Sequence, residues 1–220
     1  MSESFQPDDR PKRRWYQFYL WHLFVLVAVV AIGCAWFRCK MVEADRQREV
    51  VEVIQGLGGR VHHDYQSDGD GGWLRNFLGP VLLGDVAEVR LDTPQINDDA
   101  LAHLQELTNL RTLCLCDTQV TDAGLEHLWG LTTLENLWLD DTFVTDDGLV
   151  HLKRLTRLKS LGLSGTQVTD DGLMHLRGLT GLKELRLWST LVTEDGVKEL
   201  QQALPGCRVS HTRCPYTRCP

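Results

Sequence analysis

Two hydrophobic patterns divide this chain. From Trp15 to Phe37 there are 23 residues without Asp, Glu, Lys or Arg, and Leu23 to Ile32 is almost wholly Leu, Val, Phe, Ala and Ile. Further on, apolar positions keep a fixed beat instead. Leu91, Leu115, Leu139, Leu163 and Leu187 form one column and Leu104, Leu128, Leu152, Leu176 and Leu200 another, with 24 residues between members. The first pattern predicts one long apolar helix, the second a stack of similar coils.

As a helix, the first run is about 34 Å long, enough for a hydrocarbon layer of roughly 30 Å. Trp15, Tyr16, Tyr19 and Trp21 gather at one end, Trp36 and Phe37 at the other, and Arg14 and Arg38 bracket it. Interfacial aromatics and flanking arginines predict a transmembrane segment over 15–37 rather than a buried core helix. Lys and Arg tie in number on the two sides. The tighter upstream cluster of Arg10, Lys12, Arg13 and Arg14 favours an N-terminus inside and an extracytoplasmic remainder. Ala31-Ile32-Gly33-Cys34 partly resembles a bacterial lipoprotein processing site, but the apolar run continues through Phe37, so the reading is an uncleaved signal anchor.

In the second pattern Thr118-Gln119-Val120-Thr121-Asp122 recurs as Thr142 to Asp146, Thr166 to Asp170 and Thr190 to Glu194, after a weaker copy, Pro94 to Asp98. Leu113-Cys114-Leu115, Leu137-Trp138-Leu139, Leu161-Gly162-Leu163 and Leu185-Arg186-Leu187 alternate with period two, which predicts short half-buried strands. Asn97, Thr121, Thr145, Thr169 and Thr193 then stand as helix N-caps, each followed by an acid suited to the positive end of a helix. Leu125, Leu128 and Leu131 supply the apolar stripe of a short helix. One unit cannot bury its own leucines, so neighbours must stack around a shared core.

The unit LxxLxLxxTxVTDxGLxHLxxLT resembles the leucine-rich repeat family, whose units carry LxxLxLxxN/CxL over 20–29 residues. The TxVTDxGLxHL variant looks like the repeat of many bacterial proteins of that family. Thr118, Thr142, Thr166 and Thr190 stand where Asn or Cys is usual, which implies a threonine ladder with one backbone-bonding hydroxyl per coil. The resemblance implies an α/β, right-handed solenoid, with a curved parallel sheet inside and helices outside. The expected organisation is a basic segment 1–14, the anchor 15–37, a juxtamembrane helix and cap 43–85, the repeat domain 86–211 and a loose tail 212–220. Within the cap, residues 43–57 predict a helix closed by Gly58-Gly59, then a strand from Arg60 to Tyr65, a turn at 67–72 and a short helix around Trp73 to Leu78. Val209 lies 24 residues after Leu185, so a last strand is expected there.

Charge sharpens the picture. Residues 1–40 hold six Lys/Arg against three Asp/Glu, whereas residues 41–220 hold 17 against 27, and a net −10 in the distal part argues against nucleic-acid binding. Four histidines, His103, His127, His151 and His175, form a column, but helices packed roughly 8–10 Å apart hold neighbours too far apart to share a zinc ion. The acidic column of Asp98, Asp122, Asp146, Asp170 and Glu194 is read as capping rather than calcium binding. Cys114 and Cys116 face away from the core without a base or orienting acid beside them. Cys214 and Cys219 lie in a duplicated Thr-Arg-Cys-Pro, read as part of a frayed tail. No phosphate loop, nucleophile elbow or HExxH occurs. The chain is therefore read as non-catalytic, with no cofactor and no metal.

Binding should then fall to the concave sheet face. Its central column is Arg90, Cys114, Trp138, Gly162, Arg186. Glu88, Thr112, Asn136, Ser160 and Glu184 flank it on one side, and Asp92, Cys116, Asp140, Ser164 and Trp188 on the other. Gly162 predicts a small hollow beside the Trp138 indole. Trp138, Arg186 and Trp188 are the expected anchors for a protein or peptide ligand, with Asp140 and Arg90 as polar rim. The alternative is an envelope spacer or oligomerising element without a specific ligand.

Overall fold

A computed structural model describes residues 14–63 and 86–211. The first helix, α1 (Arg14–Gly56), is continuous through the stretch where an anchor and a separate juxtamembrane helix were expected. Neither Gly nor Pro interrupts residues 34–55, so nothing local breaks the hydrogen-bond ladder. The chain divides into two compact units between Glu43 and Ala44. In the first, Leu20–Cys39 is long and apolar enough to cross a membrane, with a mean hydropathy of 2.3 and none of the segment buried.

The second unit opens on the last turns of α1, where Val50 and Ile54 join the apolar core. The helix ends as Gly58-Gly59 predicts. The Gly59 N–H donates to the Ile54 carbonyl (2.8 Å) and the Gly58 N–H to the Gln55 carbonyl (3.0 Å). Gly58 sits at φ +83°, the left-handed turn that closes this type of cap. Strand β1 (Arg60–His63) follows and pairs antiparallel with β2 (Val86–Arg90), covering the first edge of the sheet. The expected turn at 67–72, the helix around Trp73 to Leu78 and the tail 212–220 lie outside the described residues.

From β2 onward the sheet is parallel, in chain order: β3 (Thr112–Cys114), β4 (Asn136–Trp138), β5 (Ser160–Gly162), β6 (Glu184–Arg186) and β7 (Arg208–Ser210). The register follows the repeat. Leu113 pairs with Leu137, Leu137 with Leu161, Leu161 with Leu185, and Leu185 with Val209. Between strands run short helices: α2 (Asp98–Ala102), α3 (Asp122–Glu126), a 3-10 turn at Gly148–Arg154, α4 (Asp170–Leu176) and α5 (Glu194–Ala203). Leu91, Leu115, Leu139, Leu163 and Leu187 are all at most 1% exposed, inside one continuous core. At roughly 1.5–3 kcal/mol for each fully buried leucine, this spine is the main source of cohesion between coils.

The threonine ladder forms inside each coil. Thr118, Thr142, Thr166 and Thr190 donate their hydroxyls to the carbonyls of Leu115, Leu139, Leu163 and Leu187 at 2.6–2.8 Å. Caps form too: the Thr121 and Thr169 hydroxyls accept from the N–H groups of Ala123 and Asp171, and that of Thr193 from Gly196.

The acidic column acts otherwise than expected. Asp98, Asp122, Asp146 and Asp170 each reach to the next coil and accept two hydrogen bonds from one threonine, through its N–H and its hydroxyl. The partners are Thr121, Thr145, Thr169 and Thr193, with the hydroxyl bonds at 2.6–2.7 Å. Helix capping leaves these carboxylates free to point along the stack; the stacking of coils supplies their donors. Their closeness also explains the glycine of the TDxG signature. A Cβ on Gly172 would collide with Asp146 Oδ1, and one coil earlier a Cβ on Gly148 would collide with Asp122 Oδ1.

Candidate concave-face binding site

Parallel pairing places the outward strand positions in rows. Arg90, Cys114, Trp138, Gly162 and Arg186 stand opposite one another in sequence across β2 to β6, as the repeat predicts. Glu88, Thr112, Asn136, Ser160 and Glu184 form the next row, where the Asn136 amide donates to the Thr112 hydroxyl (3.1 Å).

The hollow expected at Gly162 is filled. A Cβ there would lie 2.6 Å from Trp138 Cε3 and 2.6 Å from Asp140 Oδ2, so the indole leans over the bare backbone of β5. Arg186 then stacks on it, its guanidinium carbon 4.3 Å from the Trp138 ring centroid and 5.6 Å from that of Trp188. The Arg186 Nε donates to Glu184 Oε1 at 2.9 Å, and Arg90 repeats this bond with Glu88 at the other end of the row. A planar cation within reach of two indoles is a preorganised cluster, because the guanidinium is attracted to the rings while its Nε keeps its hydrogen bond.

Two expected exposures are corrected. Trp138 is 7% exposed and Asp140 9%, so the first is not a free anchor and the second is not a rim charge. Asp140 Oδ1 accepts from the Ser164 N–H at 2.7 Å, fixing the turn after β5. Burial pushes the Asp140 carboxyl above the ordinary carboxylate range, against the pull of the Ser164 amide and the Arg186 charge. Asp141 is raised as well, by burial and by the charge of Asp117. Arg186, Trp188 and Arg90 remain half-buried at the surface.

Cys114, Cys116 and Trp138 form a second buried cluster, separate from the leucine core and on the opposite side of the sheet. The two cysteine sulfurs are 3.5 Å apart, and Cys116 Sγ lies 3.9 Å from Asp140 Oδ2. Burial pushes the Cys114 thiol pKa up, and that of Cys207, buried behind β7, up to about 11. Sequence reasoning placed Cys114 and Cys116 correctly on the outer face but missed their burial. The signal available was the juxtaposition of small residues with Trp138, one coil away.

The histidine column lies along the outer helices, where His127 Nδ1 meets the Gln105 side-chain amide at 2.7 Å. Among the described residues no group of three or more His, Cys, Asp or Glu side chains is arranged to hold a metal ion.

No known family profile and no curated protein matches the chain. Solved structures do resemble it. An internalin from Listeria monocytogenes is 20% identical over 59% of this chain and 48% of its own, with a TM-score of 0.39. Internalin C2 of the same organism is 22% identical over 56% of this chain and 70% of its own, with a TM-score of 0.36. A leucine-rich repeat protein from Leptospira interrogans is 20% identical over 50% of this chain and 27% of its own, with a TM-score of 0.40. The chain thus spans about half the length of the first of these. The repeat signature, the parallel register and the outer helices define a leucine-rich repeat solenoid, preceded by one apolar N-terminal helix.

Proposed function

We propose that this protein is a membrane-anchored, non-catalytic module that binds a protein or peptide through the concave face of its solenoid. The observation that carries the reading is the contact of the Arg186 guanidinium with both the Trp138 and the Trp188 rings. Trp and Arg are the residue types most enriched at interface hot spots, and a pre-ordered Arg loses less side-chain entropy on binding. Arg186 and Trp188 offer the contact surface, Trp138 holds the guanidinium from below, and Asp140 sets the turn carrying Ser164. Arg90 supplies a second cationic point at the far end of the row. The apolar helix tethers the module, with the repeats outside the cytoplasm.

Photo-crosslinking on intact cells tests the binding reading. Crosslinks from probes placed on β6 should disappear in Arg186→Ala and Trp188→Ala and persist in Trp129→Ala, which alters the outer helical side. Crosslinks indifferent to all three changes favour a spacer without a specific ligand. Orientation is tested separately by an alkaline-phosphatase fusion after the repeats, whose activity requires the extracytoplasmic side.

A further inference from the structure

The outer helical side carries its charge unevenly. Val150 to Lys159 holds Lys153, Arg154, Arg157 and Lys159 and no acid. The equivalent stretch one coil later, Met174 to Lys183, holds Arg177 and Lys183 and no acid, whereas the preceding one, Glu126 to Glu135, has two acids and no Lys or Arg. Lys159 is paired with Glu135 and Arg177 with Glu199. Lys153, Arg157 and Lys183 are exposed and make no ion pair among the described residues, in a chain whose net charge is −7.

Apolar side chains break the surface at the same place. Val150 is 41% exposed, Trp129 49% and Met174 53%. Val150 and Met174 hold the same unit position in consecutive coils, on the 3-10 turn Gly148–Arg154 and on α4, which pack against each other. Residues three apart eclipse in a 3-10 helix, so Lys153 stands beside Val150 on one face of that turn. Trp129 takes the position of Lys153 in the preceding coil, and the Arg154 guanidinium carbon lies 5.1 Å from its ring centroid. An indole, two further apolar side chains and a group of cations thus share one face, with the exposed Glu126 at its border.

We propose that this face docks on an anionic phospholipid surface. Trp129, Val150 and Met174 enter the boundary between headgroups and acyl chains, and Lys153, Arg154 and Arg157 donate to lipid phosphate oxygens. A nucleic acid would use the cations and leave Val150 and Met174 in water, whereas a lipid surface takes up apolar tips and surrounding cations together. An indole suits the headgroup level, with its apolar body and single N–H donor. The stems of Lys153 and Arg154 can lie along apolar surface while their charged ends reach the phosphates. The inference rests on the membrane-anchor reading, because a tether raises the local lipid concentration enough for a small patch to engage. It is independent of ligand binding at the concave face.

Lipid photo-crosslinking in nanodiscs tests it. The full chain, with Met174 replaced by p-benzoylphenylalanine, is placed in discs of phosphatidylcholine alone or of equimolar phosphatidylcholine and phosphatidylglycerol, irradiated and digested with trypsin. The peptide 160–177 should carry phospholipid mass in the mixed discs, about tenfold more than in phosphatidylcholine. Changing Lys153, Arg154 and Arg157 to Glu should abolish that excess, and changing the same three to Gln should reduce it; all three are exposed, so the fold is kept. Adducts equal in the two lipids, indifferent to these changes, or as abundant from a probe at Ser160 on the concave face would overturn the proposal. Chain-to-chain crosslinks through position 174 in place of lipid adducts would assign the face to a second copy and overturn it too. A chain that enters the discs without forming adducts sinks the docking alone, whereas a chain that stays out of them sinks the anchor and the docking together.

Discussion

Asp122 and Thr145 join two neighbouring coils through a pair of hydrogen bonds: the Thr145 N–H donates to Oδ1 at 2.8 Å and its hydroxyl to Oδ2 at 2.6 Å. The same pair recurs from Asp98 to Thr193, so the acid of the TDxG signature is an inter-coil staple. Asp122→Ala leaves a partly buried amide and hydroxyl without their charged acceptor and should cost about 1–3 kcal/mol. Thr145→Val, which keeps the amide bond, should cost less, about 1 kcal/mol. Urea melts of the chain in detergent measure both, and equal losses would contradict the two-bond account.

Gly172 and Asp146 are coupled by space rather than by a bond. Gly172→Ala forces its Cβ against Asp146 Oδ1 and should destabilise, although alanine is the better helix former. In Asp146→Ala the clash is gone. The double variant should therefore be more stable than the sum of the single losses by about 0.5–3 kcal/mol. Strict additivity in a double-mutant cycle would show that the glycine is needed for another reason.

Leu139 lies at 0% exposure in the spine, whereas Leu191 is 67% exposed at the solenoid rim. Leu139→Ala should lose about 2.7–5 kcal/mol through transfer and cavity terms. Leu191→Ala should stay within about 0.5 kcal/mol of the parent. Similar melting temperatures for the two would deny a shared core.

Asp140 carries a pH signature. Its pKa is raised in the folded chain, chiefly by burial. The buried carboxylate therefore imposes a penalty that is full above the folded pKa. The penalty is relieved as pH falls through that value toward the ordinary 3.8. Asp140→Asn keeps an oxygen for the Ser164 N–H and removes the charge. The variant should gain stability at neutral pH relative to the parent, and the gain should fade on acidification. A variant whose advantage grew toward low pH would reverse the sign of this linkage.

Much of the fold was legible because the repeat encodes its own register. Once Leu115, Leu139 and Leu163 recur every 24 residues, strand pairing, burial and the shared spine follow, and Val209 extends the sheet as its spacing predicts. The helix end at Gly58-Gly59 was equally readable, since a left-handed closure depends on local backbone freedom. The site was less legible. Arg186 and Trp188 are half-buried on the face opposite the leucine core, but Trp138 and Asp140 are buried by neighbours that sequence spacing does not weigh.

The sequence by itself determined which residues face inward, where each coil begins and that no coil is stable alone, because those properties depend on periodicity and composition. Only the tertiary structure decided what the polar residues do. Asp122 bonds Thr145, 23 positions later, and Trp138 lies across Gly162 because stacking brings successive coils to contact distance. A side chain's partner across that gap depends on direction and packing, which periodicity leaves open.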